Sequence, residues 1–342
     1  MRAMVQTGFG GPEVVSLRHV ADPDAGPHDV VVRVHACALN RLDVIQRRGP
    51  AVLPGFRLPH IAGTDVAGRV ASVGTGVTDV AVGDRVVIDP TAGCGACPHC
   101  LAGEQGYCAA VRVVGGNVAG GFAEYVAVPE RLLHRVPDHV DLDDAAVLPT
   151  AWSTAWRATH GVGAVRPGEC VVVQAAASAV GLAALQLAKR AGARVVAVAS
   201  TDEKLAVAGE LGADLLLRNE DRVAAAVRVF TDGRGADLAL DHVGAATWDA
   251  SLACLRIDGR MVMLGNIGGD VVTFSLSNVY HRGLRLLGAG AYTPEDFSAM
   301  FAAYCDGGLR TLRAAECPLE ELHAGFDIQE SRATIGKVLV MP

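Results

Sequence analysis

The sequence predicts a two-domain α/β protein in which a strand-rich domain is interrupted by a doubly wound parallel sheet. Three observations carry this expectation. The chain has 342 residues, more than one hydrophobic core holds. Its first 150 residues are dense in short β-branched runs punctuated by Gly, Pro and Asp. From Glu169 onward it alternates short apolar runs with helix-patterned segments, the pattern of βαβ units with helices on both faces of a parallel sheet.

The N-terminal MRAMVQTGFGGPEVV reads as a strand, a Gly-Pro turn and a second strand. VVVRVHACAL, VAGRVASVG, DRVVIDP and AEYVAVP follow as strands, and AAVLPTAWSTAWRAT as a helix with Asp143 and Asp144 in its first turn. The texture changes near Trp152. CVVVQA (170–175), RVVAVAS (194–200), ADLALDHVG (236–244), RMVMLG (260–265) and LRLLGAG (284–290) read as strands. VGLAALQLAKRAG, DEKLAVAGELGA, LRNEDRVAAAVRVF and TWDASLACLRIDG read as helices. The segment after Ala291 returns to mixed character and closes on the strand-like GKVLVMP. The expected domains are therefore 1–152, then 153–288, with 289–342 returning to the first.

Composition narrows the function. Apolar residues make up 51% and charged residues 20%, as in a packed globular protein. A net charge of −7 and 5% aromatic residues argue against a nucleic-acid partner or an anionic membrane surface. No uncharged apolar run reaches the roughly 18 residues of a membrane span, and the N-terminus lacks a signal-peptide pattern. A cytoplasmic location and a small-molecule substrate are expected.

Four of the nine Cys fall within residues 94–108. Cys94, Cys97, Cys100 and Cys108 form C-x2-C-x2-C-x7-C in a Gly-rich loop, a spacing at which four thiolates close a tetrahedral site. Four Cys ligands leave no position open, so one structural Zn2+ is expected there. The remaining five Cys sit in apolar surroundings and read as small core hydrophobes.

The second domain opens on CVVVQAAASAVGLAALQLA, a strand, a small-residue turn and a helix. Such a turn brings backbone N–H groups to a pyrophosphate at a helix N-terminus. The three glycine positions of the usual fingerprint read Ala175, Ala177 and Gly181, with Ala176, Ser178, Ala179 and Val180 between. Alanine serves there provided φ stays negative. The next strand ends VAVASTDEK, with Ala199 where an NAD site places an acid. Ser200 and Thr201 follow, Lys204 lies one turn on, and Arg218 follows the next short strand. Hydroxyls and cations suit a 2′-phosphate, so NADPH is the expected cofactor.

Across nearly its whole length the chain resembles the zinc-containing medium-chain dehydrogenase/reductase superfamily. The resemblance is carried by FGGPEVV, GPHDVVVRVHA, LNRLDVIQRRG, PHIAGTDVAG, the four-Cys loop, GGFAEYVAVP, AAVLPTAWSTAW and the closing GKVLV. It implies a GroES-like β-rich catalytic domain interrupted by a Rossmann domain, in a homodimer or homotetramer. The positions that bind catalytic zinc in the family's alcohol dehydrogenases correspond here to Asn40, Thr64 and Thr150, and the proton-relaying hydroxyl to Leu42. None is a good zinc ligand. Asn40-x-x-Asp43 and Gly63-Thr64-Asp65 resemble instead the quinone oxidoreductase and enoyl reductase branch.

Without catalytic zinc to stabilise an alkoxide, hydride delivery to a quinone or α,β-unsaturated carbonyl is the easier reaction. Asn40, Asp43 and Thr64 are the catalytic candidates, with Asn40 the expected donor to the developing enolate oxygen. The resemblance further implies Arg41 at the cofactor pyrophosphate and Thr154 near the nicotinamide ribose. Val243, Gly265, Asn266 and Ile267 would border the nicotinamide, and Lys337 would contact the cofactor or cap the final strand. Two alternatives remain: a zinc-type alcohol dehydrogenase with atypical ligands, and a non-redox enzyme or NADPH-binding protein on the same fold.

Overall fold

The computed structural model describes residues 1–49, 53–219, 222–331 and 333–342. The chain forms two compact units, Met1–Thr150 with Thr293–Pro342, and Ala151–Tyr292. The boundaries fall at 150/151 and 292/293, against the expected 152/153 and 288/289. Ala289 N–H donates to Met263 O, which continues the ladder of the parallel sheet one residue past Gly288.

The first unit begins with β1 (Arg2–Gln6), β2 (Val15–His19), β3 (Asp29–Ala38), β4 (Asp65–Val73), β5 (Arg85–Ile88), β6 (Thr91–Ala92), β7 (Arg112–Val113), β8 (Tyr125–Pro129) and β9 (Leu133–Arg135). The second holds β10 (Cys170–Val173), β11 (Arg194–Ala199), β12 (Leu215–Arg218), β13 (Ala236–Asp241), β14 (Leu255–Met263) and β15 (Arg285–Gly288). The chain then returns to the first unit with β16 (Arg313–Pro318) and β17 (Lys337–Met341).

A seven-stranded sheet organises the first unit in the order β16-β17-β3-β4-β5-β9, with β8 also paired to β3. Val30, Val32, Val34, Val66, Val86, Ile88, Phe122 and Val126 gather in its core. Each such side chain contributes roughly 1.5–3 kcal/mol by leaving water. The register matters for function. Antiparallel pairing sets Leu339 of β17 opposite Ala38, and Ala38 opposite Asp65 of β4. Three strands far apart in sequence thus deliver Lys337, Asn40 and Asp65 to one place.

The second unit is a six-stranded parallel sheet in the order β12-β11-β10-β13-β14-β15. Val171, Val172 and Val173 are buried in succession, as expected of a strand covered on both faces. The order reverses between β10 and β13, so the carboxyl ends of those strands form the switch point where ligands bind in such sheets. One expected element is corrected. The helix read over TWDASLACLRIDG stops at Cys254, and LRIDG belongs to β14. Parallel pairing of Leu255 with Ala236 and the Arg256–Asp237 ion pair hold it extended. The helix expected in LRNEDRVAAAVRVF spans Val223–Phe230, and Glu220 and Asp221 lie outside the described residues. Among the described residues no helix is long and apolar enough to cross a membrane.

Candidate functional site

The strand-rich unit gathers Asn40, Asp43, Asp65, Thr150 and Lys337 into one buried charged network. Asn40 precedes the helix Arg41–Arg48, and Asp43 lies in its first turn. The Asp43 carboxylate accepts Asn40 N–H at 2.7 Å and Gly63 N–H at 3.3 Å, locking the helix start to the loop before β4. Burial pushes the Asp43 carboxyl up to about 7, although those two N–H donors pull the other way. Both carboxylate oxygens are therefore taken by the backbone.

Lys337 is buried at the start of β17. Its Nζ donates to Asn40 Oδ1 at 2.5 Å and to Leu39 O at 3.0 Å. It also lies 2.8 Å from Asp65 Oδ2, an ion pair more than an aligned hydrogen bond. Asp65 is fully buried, and its other oxygen accepts the Thr150 hydroxyl and, at 3.0 Å, Thr150 N–H. A chain of contacts runs Thr150–Asp65–Lys337–Asn40. The neighbouring Thr64 hydroxyl is buried with no hydrogen-bond partner among the described residues. Among the described residues Asn40 Nδ2 makes only a long hydrogen bond, 3.4 Å, to Ala38 O. The arrangement thus offers two donors with unspent capacity, the Asn40 amide and the Thr64 hydroxyl. Asp65 is held between Thr150 on one oxygen and the Lys337 ammonium on the other.

His60 is buried with Nε2 3.0 Å from Gly115 O. Desolvation lowers its pKa.

The four-Cys loop forms a cluster. All four Sγ atoms lie within 4.8 Å of one another, and Cys94 and Cys100 Sγ are 3.9 Å apart. Tetrahedral zinc with Zn–S of about 2.3 Å needs sulfurs about 3.8 Å apart, so the donor set fits Zn2+. Cys94 N–H and Ala110 N–H point at Cys108 Sγ at 3.4 Å, the amide–sulfur contacts that hold thiolate ligands. Backbone N–H groups of Ala96 and Cys97 lower the Cys94 thiol to about 6. A Cβ on Gly93 would meet Cys100 Sγ at 2.4 Å, so the cradle requires glycine there. His99 pairs with Glu104 at 3.0 Å, outside the sulfur set. A second group, His35, Asp141 and Asp143, is a surface ion-pair cluster: Asp143 already holds His35 at 2.8 Å and Arg313 at 2.7 Å.

In the parallel-sheet unit, Ser178 caps the helix Ala179–Arg190, accepting Gly181 N–H at 3.0 Å. Ala179 and Val180, the first two helical residues, have no intrahelical acceptor for their N–H groups, which suits pyrophosphate oxygens. Gly181 is required, since a Cβ would meet Ala175 O at 2.5 Å. The condition set for the alanines fails at one position: Ala175 takes φ +45°. The turn demands a left-handed residue whatever its side chain, at a strain on the order of 1 kcal/mol. Ala177 is buried beneath the turn.

Sequence reasoning missed two residues here. His242 follows β13, and its Nε2 lies 2.8 Å from Ser178 Oγ, joining the two strand ends at the switch point. Burial lowers its pKa to about 4, so it is a neutral imidazole. Asp241 accepts Val243 N–H and Gly244 N–H at 2.9 Å, and both hydroxyls of Thr247 and Ser251, fixing the loop after β13. An acid and a His ending a strand in DHVG were the available signal. The rest of that loop meets the loop after β14, where Gly268 N–H donates to Val243 O at 2.7 Å. Gly265, Asn266 and Ile267 are exposed there, and Asn266 Nδ2 donates to Asp270.

Ser200 is exposed past β11, and Thr201 caps the helix Asp202–Glu210, its Oγ1 accepting Lys204 N–H. Arg218 ends β12 and pairs with Asp202 at 3.1 Å. Thr154 lies half-buried in the helix Pro149–Trp156, and Arg41 is half-buried at the start of its own helix.

Comparison with known proteins agrees with this anatomy. Residues 26–138 match the alcohol dehydrogenase GroES-like domain family and residues 179–304 the zinc-binding dehydrogenase family. A quinone oxidoreductase of Pseudomonas aeruginosa is 30% identical, covering 98% of this chain and 97% of its own. The chain belongs to the zinc-containing medium-chain dehydrogenase/reductase superfamily, in the quinone and enoyl reductase-like branch. It is an oxidoreductase enzyme with a GroES-like domain and a Rossmann domain. It is also similar to an acryloyl-coenzyme A reductase of Metallosphaera sedula, 29% identical over 99% of both chains. A solved structure described as an NAD-dependent alcohol dehydrogenase superposes with a TM-score of 0.96 at 38% identity, covering all of both chains.

Proposed function

We propose that this enzyme uses NADPH to reduce a quinone or an α,β-unsaturated carbonyl, without a catalytic metal and with one structural zinc per chain. The observation that carries the reading is the buried Lys337–Asp65 ion pair bonded to Asn40. Where a zinc site needs His, Cys or carboxylate donors around an open position, Asn40, Thr64 and Thr150 offer an amide and two hydroxyls, and the nearest carboxylate is already neutralised by an ammonium.

When bound, the nicotinamide supplies a hydride to an electron-poor carbon or quinone ring. Asn40 Nδ2 and the Thr64 hydroxyl then donate to the oxygen on which charge gathers. Asp43 holds Asn40 through its backbone. Water supplies the proton, so acceptor, NADPH and H+ give reduced product and NADP+. The N–H groups of Ala179 and Val180 receive the pyrophosphate, and Ser200, Thr201, Lys204 and Arg218 the 2′-phosphate. A homodimer or homotetramer is proposed as well, supported by β15 at the open edge of its sheet beside the exposed Leu276 and Tyr280.

A second reading, alcohol oxidation, is favoured by the likeness to an alcohol dehydrogenase structure. A panel separates the two: NADPH with 1,4-benzoquinone, an enone and an acryloyl thioester, against a simple alcohol with NADP+. Turnover confined to the alcohol overturns the proposal.

A further inference from the structure

We infer that Lys337 is the positioning residue of the site: its ammonium orients and polarises the Asn40 amide, doing by hydrogen bond part of what a Lewis acid does in zinc-dependent relatives. The inference rests on the proposed reductase reading, in which Asn40 donates to the substrate oxygen.

An asparagine amide presents an acceptor oxygen and a donor NH2 group whose places exchange on a flip of the side chain. Here the flip is decided. Lys337 Nζ has only hydrogens to offer, and at 2.5 Å it binds Asn40 Oδ1. The NH2 group must therefore occupy the opposite side, where its one hydrogen bond among the described residues is the long one to Ala38 O. At least one N–H of that group is left to donate elsewhere. A cation on Oδ1 also draws electron density from the amide and makes the remaining N–H a stronger donor.

The ammonium is held rigidly. Leu39 O accepts from it at 3.0 Å, and Asp65 Oδ2 lies 2.8 Å away. Asp65 is itself pinned through its other oxygen by Thr150. Each element owes its place to strand register: Leu339 sits opposite Ala38, so two residues along the antiparallel pair Lys337 faces Asn40. A buried lysine that served only to neutralise Asp65 would not need a short bond to a neutral amide. A lysine serving the cofactor would need an exposed ammonium, and this one is covered.

Removing Lys337 alone leaves Asp65 buried and unpaired, so the test uses the double variant K337M/D65N beside K337M and K337R. Zinc bound by the four-Cys loop and the dissociation constant for NADPH report whether the chain remains folded. The expected result for K337M/D65N is one zinc per chain, an NADPH dissociation constant within about threefold of the parent, an acceptor KM little changed, and kcat lower by about tenfold to a hundredfold. K337R, which keeps the charge, recovers part of the loss. The loss is larger for a weakly activated enone than for benzoquinone, because the better electrophile relies less on the donor. A kcat within twofold of the parent, or an equal loss on every acceptor, overturns the inference, as does weakened NADPH binding with kcat unchanged at saturation. If the parent chain reduces no conjugated acceptor, the reductase reading itself has failed; if the parent turns over and the double variant matches it, only the role of Lys337 has.

Discussion

Replacing Arg218 with Ala asks how the protein distinguishes its two possible nicotinamide cofactors. In the free chain the guanidinium is paired with Asp202 at 3.1 Å, and Asp202 is largely exposed. Such a surface pair contributes about 0–1 kcal/mol. A 2′-phosphate offers the same guanidinium a charge-assisted hydrogen bond of about 1.5–3 kcal/mol. Exchanging one partner for the other gains about 1–2 kcal/mol for NADPH and nothing for NADH. That corresponds to about 5- to 30-fold in the ratio of their kcat/KM values. R218A should lower the NADPH:NADH ratio by that factor, with NADH kinetics little altered. Asp202 makes the prediction two-sided. Its carboxylate competes for Arg218 and repels a phosphate, so D202N should raise the ratio. Initial-rate kinetics with both cofactors on one acceptor measure it. A ratio unmoved by either substitution, or moved the same way by both, refutes the assignment of this corner to the 2′-phosphate.

Further outcomes follow from other parts of the structure. Cys100→Ser should take bound zinc from one per chain to none and open residues 94–108 to protease, since within that loop only Cys100 and Cys108 are buried; zinc retained at full stoichiometry would refute the ligand set. Asp43 has a folded pKa of about 7 against an ordinary 3.8, so its contribution to stability is complete below about pH 4 and is lost as pH rises through 7. Melting temperature should fall between pH 5.5 and 8 more steeply in the parent than in D43N, which should itself be less stable at pH 5.5 by about 1–3 kcal/mol because its amide cannot accept both N–H groups; parallel pH profiles would contradict this. Arg260 is buried, pairs with Glu169 at 2.6 Å and donates to Gly163 O and Ala164 O. Arg260→Met should cost about 3–5 kcal/mol in denaturant unfolding, and R260M/E169Q less, because the second change removes the stranded charge.

The parts of this protein legible in the sequence were those whose signals are local. Alternating apolar runs announce the parallel sheet, and the cysteine spacing announces its own cluster, because the ligands come from one loop. The Lys337–Asn40–Asp65 contact was not legible. Its members lie up to 297 positions apart, and only the register of β17 on β3 and of β3 on β4 brings them together. GKVLV marked a strand and left the destination of its lysine open. Ala175 misled for the reverse reason: alanine predicts negative φ, and the turn overrides that preference. LRIDG extends a helical period in the sequence, yet parallel pairing with β13 decides its conformation. Nothing near His242 in sequence names Ser178 as its partner, because the contact joins the ends of two strands.

The most direct test of the account is the zinc content of the purified enzyme while it reduces an enone or benzoquinone with NADPH. One zinc per chain in the active parent, and none in Cys100→Ser, is the predicted result. Two zincs per chain, or one retained in Cys100→Ser on which turnover depends, would mean that the region of Asn40, Thr64 and Thr150 binds metal after all.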